Sequence, residues 1–228
     1  EKFGLVNFAT AFTGYFVLLT DYGFTFSATK DISVYRDDKV KISEIYSSVM
    51  GVKLVLFLVS VLIFFSLLYS FQIFSADKPL YIISFIGVLG SALFPVWFFQ
   101  GMEKMRYILF INISARVLTT AAIFIVVQDE SDYLKLASIN SSMQFLIGLA
   151  GLYFIHKNFS VHFFFPTVQM IKNQLKSGWS IFLSQVSINL YTTSNPFILG
   201  LFTDNTIVGY YTAADKIRSA FQALLNPM

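Results

Sequence analysis

Leu54–Leu68 reads LVLFLVSVLIFFSLL, fifteen residues in which the only polar side chains are two serines. The run does not alternate, so it is not a strand of a membrane barrel, whose segments repeat polar and apolar residues over about 10 positions. The uncharged stretch extends to Leu54–Ala76. That is the length of a helix crossing a bilayer core, for which about 20 mostly apolar residues are needed. The same reading recurs outward in both directions. Phe3–Thr20 carries no charge, and its pattern continues past Asp21 to Thr29. Leu80–Gln100, Leu136–Ile155 and Ser177–Thr203 are uncharged, Tyr107–Gln128 is interrupted only by Arg116, and Ile207–Met228 reads as a seventh span. The expected fold is all-α, a polytopic transmembrane helix bundle of about seven helices.

Composition agrees. Of the 228 residues, 56% are hydrophobic and 13% charged, with a mean hydropathy of +0.67. A soluble domain carries about 25% charged residues, so a cytosolic enzyme, a nucleic-acid binder and a disordered chain are all disfavoured. Cysteine is absent, which removes disulfides, thiolate metal sites and thiol nucleophiles. The net charge of +3 is too small to argue for a polyanionic partner such as nucleic acid. GxxxxGK[ST], HExxH and GxSxG are absent, no metal site or cofactor is expected, and His156 and His162 read as interfacial.

Connector charges give the orientation. Lys30, Arg36, Lys39, Lys41, Lys104, Arg106, Lys157, Lys172 and Lys176 lie on alternate connectors, nine basic residues against three (Lys2, Lys78 and Lys135) on the others. The nine-residue side is cytoplasmic by the positive-inside rule. Glu1 then lies outside, and one further helix is expected before it. Ser43-Glu44 reads as the start of the second helix. Pro95 is expected to kink the third and Pro196 the sixth, while Trp97 suits an interfacial anchor. Phe163-Phe164-Phe165 places part of the His156–Lys176 connector on the membrane surface.

Gly4-Leu5-Val6-Asn7-Phe8-Ala9 and Gly209-Tyr210-Tyr211-Thr212-Ala213-Ala214 open the first and seventh helices 205 residues apart, each after a polar turn. Six helices separate them, so both run inward. That is a parallel repeat of six-helix halves, implying a complete protein of about 410 residues and twelve helices. The expected organisation is 1–156 as an N-terminal bundle lacking its first helix, 157–176 as a cytoplasmic connector, and 177–228 as the truncated start of a second bundle.

Ionisable and polar groups at bilayer depth are the candidate site, since each is costly there unless it faces an interior or water. Asn7, Gly14, Asp21 and Ala28 form one stripe, with Asp21 either in a buried structural hydrogen bond or facing a cavity; Asn226 stands at its repeat position. Asp215, Lys216 and Arg218 suit an anionic ligand, or else pair internally. Arg116, near the midplane, reads equally as a ligand contact or a structural donor to carbonyls. Lys53 is expected to snorkel toward the cytoplasmic end. Gln185, Asn189 and Thr192 share a helix face with Pro196 and offer neutral donors and acceptors for sugar hydroxyls, or polar contacts between helices.

Leu19-Thr20-Asp21-Tyr22-Gly23-Phe24, Ala28-Thr29-Lys30-Asp31-Ile32-Ser33 and Arg36-Asp37-Asp38 resemble the second helix and following loop of bacterial polysaccharide flippases. Pro95-Val96-Trp97-Phe98-Phe99-Gln100-Gly101-Met102-Glu103 and Val208–Lys216 extend the resemblance. The family is the Wzx type (O-antigen and related repeat units) of the multidrug/oligosaccharidyl-lipid/polysaccharide exporter superfamily. It implies a MATE-like fold of two six-helix halves around a cationic cavity, with helices two to eight of twelve present here. It further implies alternating-access movement of undecaprenyl-pyrophosphate-linked oligosaccharide across the bacterial cytoplasmic membrane, with a proton or sodium ion as coupling partner. Polysaccharide polymerase and glycosyltransferases are implied neighbours in the pathway. Carried over by position, Asp21, Lys30 and Arg36 belong to the second-helix motif, and Asp215 and Lys216 to the eighth-helix motif. Arg218 joins them as a cation at the cavity's inner end. A lipid II flippase or an ion-coupled multidrug antiporter shares the fold, but an antiporter should show an acidic cavity. A membrane enzyme should show a loop with clustered carboxylates, and none occurs from Lys157 to Lys176. A purely structural scaffold predicts that neutralising the buried charges leaves export intact.

Overall fold

The computed structural model of the chain describes residues 1–75 and 77–225; Ala76, Asn226 and the two residues after it lie outside the described part. The described residues are mostly helical, with no strand among them: α1 (Lys2–Asp21), α2 (Phe24–Val34), α3 (Lys39–Ser70), α4 (Lys78–Leu93), α5 (Val96–Gly101), α6 (Met105–Val126), α7 (Tyr133–Phe159), α8 (Val168–Thr192), α9 (Asn195–Phe202) and α10 (Asn205–Leu225). The all-α membrane bundle is as expected. Five stretches, Lys2–Val34, Lys39–Ser70, Lys78–Gly101, Met105–Val126 and Glu130–Phe159, are long and apolar enough to cross a bilayer. The sixth and seventh expected spans are helical but are not among the five. Gln185 and Asn189 on α8 and the three charges of Asp215, Lys216 and Arg218 on α10 dilute their apolar character.

Three expected continuous spans are broken. The first stops at Asp21, where Tyr22 (φ 49°) and Gly23 (φ 76°) turn left-handed before α2 starts. Glycine relieves the second of these turns, since a side chain there strains the backbone. Pro95 does not merely kink the third span but separates α4 from α5, and Pro196 sits in the first turn of α9 after α8 has ended. Other local expectations shift. α3 starts at Lys39, not at Ser43, because the Asp38 carboxylate caps it by accepting from the Val40 and Lys41 backbone N–H groups at 3.0 Å each. The connector is helical at both ends, and only residues 160–167 leave the helical conformation, beginning with left-handed Ser160 (φ 51°). They are strapped to α3, whose Ser47 hydroxyl accepts from the Phe164 N–H at 3.1 Å. Trp97 is no interfacial anchor but wholly buried, its indole N–H without an acceptor.

Packing follows from what a bilayer offers. Lipid is as apolar as a leucine, so helices associate through close backbone approach and side-chain fit. Aromatic rings supply one device: Phe64 stacks on Phe85 with centroids 4.1 Å apart, and Phe12 on Phe74 at 4.6 Å. Glycines supply the other, along the seam of α4 with α7. A Cβ on Gly90 would collide with the Gln144 carbonyl, and one on Gly148 would lie 2.6 Å from the Gly90 oxygen.

Gly90→Ala is therefore expected to force α4 from α7 and to destabilise the bundle by about 1–3 kcal/mol, the usual range for overpacking. Gly87→Ala, whose added Cβ would meet nothing nearer than 3.7 Å, should leave stability essentially unchanged. Thermal unfolding of the two variants in detergent checks the contrast.

Candidate functional site

Asp21 is the last residue of α1, where a carboxylate faces the negative end of the helix dipole. Two neighbours offset this. The Lys53 ammonium of α3 stands 3.6 Å from its Oδ1, and the Thr25 hydroxyl of α2 donates to its Oδ2 at 3.1 Å. One side chain thus ties three helices together at the break. Lys53 does not snorkel: its side chain is 2% exposed, against 34% for Asp21. With its head held at Asp21, the lysine stem has no path to water. The next residue, Tyr22, stacks on Phe182 of α8 with centroids 4.7 Å apart, and a Cβ on Gly178 would meet the Tyr22 ring at 2.9 Å. The ion pair sits directly behind the seam between the first helices and α8.

A second group lies between the α8–α9 break and α10. Thr192, Asn195, Tyr211, Asp215 and Arg218 line an open cavity of about 860 Å³. Arg218 donates from Nε and Nη2 to a single Asp215 oxygen, at 3.0 and 2.6 Å. Half of the guanidinium fork stays available to another anion. The Asn195 amide donates to the Tyr211 hydroxyl at 2.7 Å, fixing both at the rim. Lys216 does not line this cavity. Its ammonium lies over the Phe3 ring, 4.7 Å from the centroid. Gln185 and Asn189 are half-buried, and their visible bonds are local: the Asn189 amide donates to the Gln185 carbonyl at 3.0 Å, and the Thr192 hydroxyl donates to the Ile188 carbonyl at 2.8 Å.

Arg116 occupies a third place. With Asn112 and Thr119 of α6 and Asn140 and Gln144 of α7 it lines a cleft of about 440 Å³. Asn140 and Gln144 also border a smaller cleft against Thr10 and Gly14 of α1. A polar band therefore runs from the Asp21 stripe across α7 to Arg116. Arg116 has no hydrogen-bond or ion-pair partner among the described residues.

The loop residues form a fourth. Arg36 donates to Glu103 at 2.7 Å, joining the loop after α2 to the turn after α5. The guanidinium, by hydrogen bond and then by charge, holds the Glu103 carboxyl below its ordinary 4.5. Lys30 is exposed. The ten residues singled out in the sequence thus fall in several places, with only Thr192, Asp215 and Arg218 lining one cavity. Sequence reasoning read Lys53 as a snorkelling residue and passed over Asn112, Asn140 and Gln144. The spacing of four between Asn112 and Arg116, and again between Asn140 and Gln144, was the signal for a shared polar face.

The chain matches, over residues 1–228, the family described as "Polysaccharide biosynthesis protein". It is 31% identical to an Escherichia coli (strain K12) protein named "Putative O-antigen transporter", over 100% of this chain and 55% of that protein. A Shigella dysenteriae protein of the same name is 31% identical over 92% of this chain and 53% of its own length. The chain spans about half the length of the curated relatives it matches. No solved structure matches it.

Asp21→Asn leaves the buried Lys53 charge without its counter-ion and should cost about 3–5 kcal/mol of stability, whereas Asp21→Asn with Lys53→Met should recover most of that loss. A double-mutant cycle by thermal unfolding measures it; equal losses in single and double variants contradict the pairing. Glu103 titrates lower in the folded protein than unfolded, so its contribution is present above pH 4.5 and is lost as the pH falls through the lower folded value. A carboxyl-carbon NMR titration should place the Glu103 midpoint below 4.5, returning toward that value in Arg36→Gln.

Proposed function

The chain belongs to the polysaccharide biosynthesis protein family, and from that premise we propose that the complete protein is a flippase of the bacterial cytoplasmic membrane. Its cargo is an oligosaccharide repeat unit linked to undecaprenyl pyrophosphate, moved from the inner to the outer leaflet. The observation that carries this reading is the open cavity beside the middle of α10. There an incompletely engaged guanidinium, Arg218, stands among Tyr191, Thr192, Asn195 and Tyr211. A pyrophosphate takes the free edge of such a fork bidentately. Hydroxyl and amide groups next to two aromatic rings suit the polar edges and apolar faces of sugar rings. The names of the Escherichia coli and Shigella dysenteriae relatives point the same way.

In this reading 1–156 and 177–228 belong to two bundles joined by the connector 157–176. Lys30 and Arg36 gather the anionic headgroup at the cytoplasmic face, and Arg218 receives it in the cavity, while Lys216, whose ammonium is seated over Phe3 outside that cavity, adds its positive charge from a distance. Gln185, Asn189 and Thr192 border the path of the sugars, and Arg116 extends a polar surface on the N-terminal bundle. The pair Asp21–Lys53 is the place where a proton or sodium gradient couples to the break between α1 and α2. Glycosyltransferases supply the lipid-linked substrate, and a polymerase consumes it on the other side.

The test uses the full-length protein in a strain lacking its own transporter. Arg218→Ala should lower surface polysaccharide by about tenfold, the effect of losing one charge-assisted contact, and Lys216→Ala should lower it by less. Lipid-linked oligosaccharide should accumulate on the inner leaflet. Unchanged surface polysaccharide at a normal protein level refutes the headgroup assignment.

A further inference from the structure

Asp21 stands where a helix ends inside the membrane, and that end is built to attract a cation. The dipole of α1 places about half a negative charge there. The Tyr22 N–H bonds the Leu18 carbonyl, but no donor among the described residues reaches the carbonyls of Leu19, Thr20 or Asp21. The left-handed turn at Tyr22 and Gly23 is the reason, because it takes the next N–H groups off the helix axis. Two further oxygen groups stand at the same end, the Asp21 carboxylate and the Thr25 hydroxyl, 3.1 Å from Oδ2. Broken helix ends with free carbonyls are where transporters hold monovalent cations. In this chain a cation is already in place. The Lys53 ammonium stands 3.6 Å from Asp21 Oδ1, with its side chain 2% exposed. It arrives from α3, where its neighbours Val49, Met50 and Val52 are buried and apolar, and Asp21 is the one carboxylate that pairs with it among the described residues.

We propose that Lys53 is a tethered counter-cation: it takes the place at the end of α1 that a sodium ion would otherwise hold, and the break is closed to metal cations while it is seated. An ammonium and a sodium ion carry the same charge. One carboxylate cannot neutralise both, and at bilayer depth a second, unpaired positive charge is costly. The lysine also has the advantage of its tether, since its own helix holds it at the site and a free ion must be drawn from dilute solution. Without it, Asp21 is a carboxylate at bilayer depth lacking a counter-ion, beside three free carbonyls and a hydroxyl. Sodium is a monovalent cation that such oxygens suit. The purpose of the arrangement rests on the transport reading: a sodium gradient can act at the α1–α2 break only after the lysine has left. The occupancy itself does not depend on the cargo.

The experiment needs no substrate. The full-length protein in detergent is unfolded by heat in sodium chloride and in choline chloride at equal ionic strength, which holds screening constant. Each sodium response is read as the difference from Asp21→Asn with Lys53→Met, which cancels sodium bound elsewhere. The unaltered protein should show no response, and neither should Lys53→Arg, which keeps the tethered charge. Lys53→Met should unfold about 4 °C higher in saturating sodium, as expected of a ligand that binds the folded form alone. Thr25→Val added to Lys53→Met should raise the sodium needed for half of that shift by about tenfold, the effect of losing one oxygen contact. Lys53→Gln serves where Lys53→Met does not fold. A sodium response in the unaltered protein overturns the tether, and so does the lack of one in both Lys53→Met and Lys53→Gln. If the sodium responses are as expected while Arg218→Ala leaves polysaccharide export intact, the tether stands and the assignment of the cargo fails.

Discussion

A peptide group inside a bilayer has no water to bond, so a helix can be interrupted there only where something else satisfies the freed groups. The breaks after α1, α4 and α8 each bond part of their freed backbone locally, and the candidate site is built beside the first and the last of them. At the α1–α2 break the Tyr22 N–H reaches the Leu18 carbonyl and the Gly23 carbonyl accepts from Phe26 and Ser27, so the backbone is spent locally. The carboxylate of Asp21 is then free to engage Lys53 and Thr25. At the α8–α9 break the Asn189 carbonyl accepts from the Thr193 N–H and from the Thr193 and Ser194 hydroxyls. The polar residues clustered before Pro196 thus serve the backbone as well as the cavity. Between α4 and α5, proline brings no N–H to satisfy, and its carbonyl accepts from Phe98.

Packing inherits the same constraint in another form. Because association gains little from the hydrophobic effect in lipid, contact must be won by fit. The chain does this with 27 phenylalanines and with glycines where backbones cross. The seam of α4 with α7 and the contact of α1 with α10 use the same device: Gly90 and Gly148 bring the first pair of backbones together, and Gly4 and Gly209 the second.

The apolar runs made the helices legible, because length and absence of charge at bilayer depth admit few other solutions. The sixth and seventh spans were legible as helices too, yet their polar faces take them below the apolar level of the other five. Breaks were legible at Pro95 and Pro196 but not at Tyr22-Gly23, where a lone glycine in an apolar run gives no measure of how far the chain turns. Lys53 was misread for a specific reason. A lysine near a helix end snorkels by default, and only the fold brings α3 within 3.6 Å of Asp21. Trp97 failed likewise: an aromatic near a span's end marks an interface only if its ring is left at the surface, and here the ring is buried in the core that α5 shares with α2 and α3. The grouping of site residues was the least legible part, since spacing along one helix says which face a residue shares and not which other helix that face meets.

Helices α1 and α10 match at an offset of 205 residues, yet they differ in charge. Where α10 carries Asp215 and Lys216, the equivalent positions of α1 are Thr10 and Ala11, and Arg218 corresponds to Thr13. Thr10 and Thr13 spend their hydroxyls on the α1 backbone, at the Val6 and Ala9 carbonyls. The equivalent helices share the glycines that bring them together and differ in the residues below. The likeness is kept at the glycine contact and abandoned below it, where α10 presents three charged side chains and α1 presents two threonines and an alanine.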